Sequence, residues 1–240
     1  MDITEDKTSA ELQLMIMNSS PGILDGDEYD MKIEIEKEAS LHLHTQAYQR
    51  LFNMKQGAVQ KTAIFLDDNS SFCYLPHPSV PHQNSIFSSF TNFYISNNCT
   101  LLFGEILTCG RKLNGEQFQF SKYHSITNIY KNQKLVTKEN LLMQPSLIEV
   151  HAIGQLEGFT HQASMIWLQE TTSIKSIQQE IIELLFPENN IAFGVTEAPV
   201  SGLIIRLLGH GAEQLYECFQ NIKNILPLKK VNNQPVIITK

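Results

Sequence analysis

The sequence predicts a mainly β body followed by a C-terminal stretch with two α-helices. Three observations carry that reading: many short apolar runs parted by turn residues, period-two alternation inside several of them, and a change to helical spacing after residue 170. Periodicity alone leaves a sandwich, a barrel and a solenoid of stacked strands open.

Taken in order, residues 1–9 read as a solvated tail. Leu12–Met17 is apolar enough for a buried strand, which Asn18-Ser-Ser-Pro-Gly22 breaks. After the turn Asp25-Gly-Asp27, Met31, Ile33 and Ile35 alternate with Lys32, Glu34 and Glu36, giving one buried and one wet face. Leu41-His-Leu-His44 repeats the pattern, with His42 and His44 opposite the two leucines. Further strands are expected at Thr62–Leu66, Ser71–Leu75, Ser85–Tyr94, Thr100–Leu107, Glu116–Ser121, Ile126–Tyr130, Lys134–Thr137 and Leu141–Met143. Ser173–Phe186 then places Ile174, Ile177, Ile181, Leu184 and Leu185 on one helical face, ended by Pro187. Ala192–Val195 and Gly202–Leu208 read as strands. Ala212–Leu226 is the second amphipathic helix, stopped by Pro227. Both apolar stripes are core-packing faces by this reading. The residues from 230 onward read as a second loose tail, and no internal repeat is visible. One domain spanning 1–240 is the expectation.

Hydrophobic residues make up 42% of the 240, charged residues 18%, and the net charge is −7, which describes a folded acidic chain. No basic cluster offers a nucleic-acid backbone a footing. No apolar run is long enough to cross a bilayer, and the polar N-terminus lacks the apolar core of a signal peptide. Four scattered cysteines with no CxxC fit reduced thiols, so the chain is expected to be cytoplasmic.

Chemistry is sparse. His42 and His44, two apart on a strand, are weak candidate metal ligands, and nothing at ligand spacing completes a tight site. The G-x-S-x-G, P-loop, dinucleotide and H-E-x-x-H signatures are all missing. A carboxylate pair drawn from Asp27, Glu28, Glu105, Glu116 and Glu139 would suit a β-rich hydrolase, but spacing cannot say which strands approach each other. In Phe103–Phe120 the charges of Glu105, Arg111 and Glu116 lie between two apolar runs. They form either a surface hairpin or an internal polar path.

Five stretches in order resemble the urease accessory protein UreD family, called UreH in some species. They are Pro21-Gly-Ile-Leu-Asp-Gly-Asp27, Thr45-Gln46 with Tyr48-Gln-Arg50, Tyr74-Leu-Pro-His-Pro78 with Ser85, Gly104–Arg111 with Gly115-Glu116-x-Phe118, and Leu203-Ile-Ile-Arg-Leu-Leu208. Asp25 stands where that family's turn carries a glycine. The resemblance implies an elongated β-helix-like stack of short strands with two helices, and no catalysis. It implies a maturation scaffold that binds UreF, through it UreG, and urease apoprotein, and passes Ni²⁺ transiently through an internal polar tunnel. No tightly bound cofactor is implied. Carried over by position, Asp27, Thr45, Glu105, Glu116 and Glu139 would contact nickel in passing, and Arg111 would form a structural salt bridge.

Overall fold

The computed structural model describes residues 3–4, 12–170, 173–228 and 236–239. Its body is a two-sheet β-solenoid. The chain crosses back and forth between two parallel stacks, laying one strand on each per coil. The first sheet receives β2 (Leu12–Ile16), β4 (Ser40–Thr45), β7 (Ser71–Tyr74) and β10 (Thr100–Leu107). The second receives β3 (Glu28–Ile35), β6 (Ala58–Leu66), β9 (Ile86–Ile95) and β11 (Lys122–Lys131). Two short strands, β5 (Gln49–Leu51) and β8 (Ser79–Pro81), pair with each other beyond a break in the first sheet, and β8 rejoins β10 at Leu107. The break falls at Pro76 and Pro78, which have no N–H for a ladder.

Stacked turns hold the coils in register. Glu38, Asn69 and Asn98 occupy the same left-handed position (φ 61°, 60° and 55°) in successive turns about 30 residues apart, a solenoid spacing. Backbone bonds tie each turn to the next, as in Glu38 N–H to Asp68 O (3.1 Å) and Asn69 N–H to Asn97 O (3.0 Å). Asparagine tolerates this conformation better than most side chains. The repeat missed in the sequence is therefore present. Its coils share a turn and a register rather than a residue pattern.

Antiparallel strands finish the stack. β12 (Lys134–Met143) pairs with β11, joining into one strand the two expected at Lys134–Thr137 and Leu141–Met143. β13 (His161–Gln169), which period-two reading passes over, pairs with β10. β15 (Gly202–Gly209) follows it, and β14 (Ala192–Glu197) forms the edge. The strand expected at Glu116–Ser121 is a loop instead: Phe118 has φ 54° and its N–H bonds to Cys109 O at 2.7 Å. Of the two tails, residues 1–2, 5–11, 229–235 and 240 lie outside the described residues. Ile3–Thr4 (β1) pairs with β2, and Val236–Thr239 (β16) with β3.

The helices α1 (Ile174–Leu185) and α2 (Ala212–Ile225) cover the outer face of the first sheet. Ile177, Ile181 and Leu185 of α1 and Leu215, Cys218, Phe219 and Ile222 of α2 are buried there against Leu102, Met165, Trp167 and Ile205. Glu213 in the first turn of α2 and Lys223 in its last complement the helix dipole. Gly104 lets α2 approach: a Cβ at that position would lie 2.7 Å from the Phe219 ring. Between the sheets runs a second apolar core, including Ile33, Leu43, Ile64, Phe72, Phe93 and Phe103. A third closes the end that holds Ile23, Leu51, Phe87 and Tyr123. All four cysteines are buried.

Candidate functional site

In a parallel stack, in-register residues align across strands, and side chains two apart share a face. Most inward rows here are apolar, but two on the second sheet are not. One runs Thr62, Thr91, Thr127, Glu139 across β6, β9, β11 and β12. The next runs Gln60, Ser89, Ser125. At about 4.8 Å per strand, the longer row spans roughly 15 Å along the solenoid axis. Facing it on the first sheet, register aligns Glu105, Ser164 and Arg206 across β10, β13 and β15.

Two cavities lie between these rows and meet at Glu105 and Tyr123. The first, of about 70 Å³, extends from the break in the first sheet and is lined by Thr45, His77, Gln49, Gln60, Thr62, Ser89 and Thr91 among others. The second, of about 290 Å³, carries Ser125, Glu139, Asn140, Gln162, Ser164 and Arg206. Exposed Ala47 borders the first and exposed Arg206 the second, so each reaches the surface. Apolar rows flank the polar ones on both sides.

Glu105 is the junction. Its carboxylate accepts a bond from Ser125 Oγ at 2.7 Å. Burial pushes its pKa above the ordinary carboxylate value and nearby Glu139 adds to the rise, while the Ser125 bond works against it. Glu105 still keeps some accessible surface, as a residue bordering two cavities would. Burial likewise raises Tyr74 and Tyr123, which feel the Glu105 charge. Thr62 Oγ1 at the first cavity and Ser164 Oγ at the second are buried hydroxyls with no protein partner. At the first mouth Thr45 Oγ1 lies 2.9 Å from His77 Nδ1, and His77 stacks on Tyr216 of α2. At the second, Arg206 donates to both oxygens of Glu139, at 2.7 and 2.8 Å. Glu139 belongs to one sheet and Arg206 to the other, so side chains alone close this end.

Thr45 thus lines the first cavity, Glu139 the second, and Glu105 both. Asp27 is elsewhere: its carboxylate accepts from Leu24 N (2.8 Å) and Tyr29 OH (3.1 Å), shaping the turn. Asp25, in the place of a glycine, accepts from the backbone of Gln56 and Gly57 and ties two coils together. Glu116 pairs with Arg111 on the surface, where the guanidinium holds its pKa below the usual value, and it also accepts from Gln83 N. Neither Asp27 nor Glu116 lines either cavity.

His42 and His44 lie on the outer face, their rings 3.8 Å apart. Lys223 Nζ sits 3.0 Å from His42 Nε2. Burial, with Lys223 second, lowers the His42 pKa to about 3. Among the described residues no three His, Cys, Asp or Glu side chains are placed to hold a metal ion. Among them, too, no helix is long and apolar enough to cross a membrane. Sequence reasoning did not mark Gln49, Gln60, Ser89, Ser125, Ser164 or Arg206 as site residues. The one available signal was a polar residue at an inward position of an otherwise apolar strand.

Two carboxylates among the lining oxygens give the second cavity the means for ion binding or for acid–base chemistry. Hydroxyl, amide and carboxylate oxygens bind a divalent cation without the grip of thiolates, so an ion can step from one to the next. Comparison with known proteins gives the family. The family model described as UreD urease accessory protein matches residues 3–238. A protein named urease accessory protein UreD from Flavobacterium johnsoniae is 50% identical over 94% of this chain and 82% of its own. Two of the same name, from Actinobacillus pleuropneumoniae and Acetivibrio thermocellus, are 36% and 34% identical over 92% and 90% of this chain, and 84% and 82% of their own. With its strands stacked in a solenoid and this match along nearly its whole length, the chain belongs to the UreD urease accessory protein family.

Proposed function

We propose that this chain is a non-catalytic scaffold of urease maturation, acting in the cytoplasm, and that nickel crosses it along the passage through Glu105. The observation that carries the reading is the axial alignment of oxygen-bearing side chains from Thr45 to Glu139, with Glu105 shared by both cavities. A chain selected only for packing would fill those positions with aliphatic side chains, as its flanking rows do. The ion is cargo, held by successive oxygen ligands and released at the far mouth into urease apoprotein. UreF docks the scaffold and brings the GTPase UreG to urease apoprotein.

The test is reconstituted urease activation with Glu105→Gln, a substitution that preserves shape and the acceptor for Ser125. Urease matured with this variant is expected to contain several-fold less nickel while UreF is still captured in a pull-down. Full nickel loading would remove Glu105 from the route. A second reading has one observation in its favour: Glu105 and Glu139 share a cleft, as an acid–base pair of a hydrolase would. Turnover of a glycoside or ester by the isolated chain, abolished by Glu105→Gln, would favour it.

A further inference from the structure

The wider cavity ends at an ion pair whose two members come from different sheets. Arg206 and Glu139 are not joined through any ladder: β15 belongs to the first sheet and β12 is the edge of the second. Both oxygens of Glu139 are engaged by one guanidinium nitrogen, at 2.7 and 2.8 Å. The two side chains are unequally held. Glu139 is 22% exposed and turned inward beside Glu105, whereas Arg206 is 59% exposed on a stem that reaches out to solvent. The guanidinium can therefore swing away without disturbing packing, while the carboxylate stays at the mouth.

We propose that Arg206 gates this end of the passage. Paired with Glu139, it neutralises the outer carboxylate and covers the mouth. A divalent cation arriving between Glu105 and Glu139 takes over the carboxylate, and the guanidinium turns out into water. The device has two consequences. The empty passage does not present two uncompensated carboxylates that would trap whichever cation reached them first. An ion in transit is also held more weakly than the two carboxylates alone would hold it, because Arg206 competes for one of them. A tight site would end delivery, whereas a site with a built-in competitor releases its cargo. This inference rests on the passage reading, so its test must separate the two.

Mn²⁺ is the probe, since it favours carboxylate and hydroxyl oxygens over the His77 imidazole at the other mouth. The free-ion signal in electron paramagnetic resonance reports its binding to the full-length chain. Arg206→Gln is expected to bind Mn²⁺ roughly fivefold more tightly than the native chain, the factor by which a partly exposed ion pair can compete. Arg206→Lys, which keeps the charge, restores native affinity. Arg206→Gln/Glu139→Gln loses the gain. An unchanged or weaker affinity for Arg206→Gln, with Glu105→Gln weaker than native, would overturn the gate and leave the passage standing. Loss of melting temperature in Arg206→Gln without a gain in Mn²⁺ binding would make Arg206 a structural tie and also overturn it. Mn²⁺ binding that ignores Glu105→Gln in both backgrounds would overturn the passage itself.

Discussion

The strands β10, β13 and β15 have two faces, and the two were built for different ends. Outward, Leu102, Ile106, Met165, Trp167, Leu203 and Ile205 meet the helices in a continuous apolar layer. Inward, the same strands carry the apolar Leu101, Phe103, Ile166 and Ile204 beside Glu105, Ser164 and Arg206, which share one register row. Neighbouring residues of one strand thus face a sealed core on one side and the cavities on the other. The outer face is apolar throughout, sealed beneath both helices. The inner face gives up packing along one row, on three strands at once, which is what the proposed route for the ion requires.

The largest effect should come from the sealed face. Trp167 is fully buried beneath the helices, and Trp167→Ala is expected to cost about 3–5 kcal/mol, a fall of roughly 10 °C in melting temperature. Thermal denaturation measures it. A loss below about 1 kcal/mol would mean that the helices do not seal the sheet and that the contrast between the faces is overstated.

Next is the acid limb of stability, which tests whether the outer face is as dry as its packing suggests. Burial lowers the His42 pKa to about 3 and that of His161 to about 4, and Lys223 and Lys112 respectively add to the depression. Both rings are neutral in the folded chain, while in the unfolded chain they take up protons near pH 6.5. The unfolded state therefore binds more protons between those values, and stability falls as pH drops below about 6.5. At pH 5 the cost is about 2 kcal/mol for each ring. His42→Gln/His161→Gln should flatten the dependence of melting temperature on pH between 7 and 5. An unchanged slope would place water at those rings.

Much of this contrast could be read in the sequence, and the missing parts share a cause. The alternation at Met31–Lys37 and Leu41–His44 and the helical stripes gave strands, faces and helices correctly, because each is a local pattern. Glu105 was marked as a charge between apolar runs. The passage itself is made by register between strands about 30 residues apart: Thr62, Thr91 and Thr127 are unremarkable singly and form a row only when the coils stack. β13 escaped notice because Met165–Leu168 is apolar on both faces and shows no alternation, as a strand covered on both sides must. The Phe118–Phe120 alternation misled in the opposite way, since a loop closing the end of the stack also needs apolar anchors.

On the inner face the comparison predicts a gain. Burial keeps the Glu105 carboxyl above its ordinary pKa, so the folded chain holds that proton more tightly than the unfolded one. The stability associated with the protonated form is lost as pH rises through the folded value. Glu105→Gln removes that loss and keeps the Ser125 bond, so at pH 8 the variant should melt about 3 °C above the native chain, equivalent to roughly 1 kcal/mol. Below pH 4 the two should converge. A more stable chain that delivers less nickel would mark Glu105 as a residue kept for transport. A less stable one would show that the carboxylate is held by partners the passage reading does not include.

The smallest effect should fall on the charges that belong to neither face. Arg111 and Glu116 sit together on the closing loop, and Arg111 is 41% exposed. The guanidinium depresses the Glu116 pKa, so the pair contributes above the ordinary carboxylate value and fades as pH falls through the folded one. Exposed pairs of this kind contribute little, and salt screens them. Glu116→Gln keeps an acceptor for Gln83 N, so denaturant unfolding should register less than about 1 kcal/mol, shrinking further in 0.5 M salt on screening grounds. Nickel delivery in the reconstituted system should remain at the native level, because Glu116 borders neither cavity. Glu105 and Glu116 lie in one short stretch of chain, and their opposite responses would show that position across the sheets, not proximity in sequence, decides which carboxylate meets the ion.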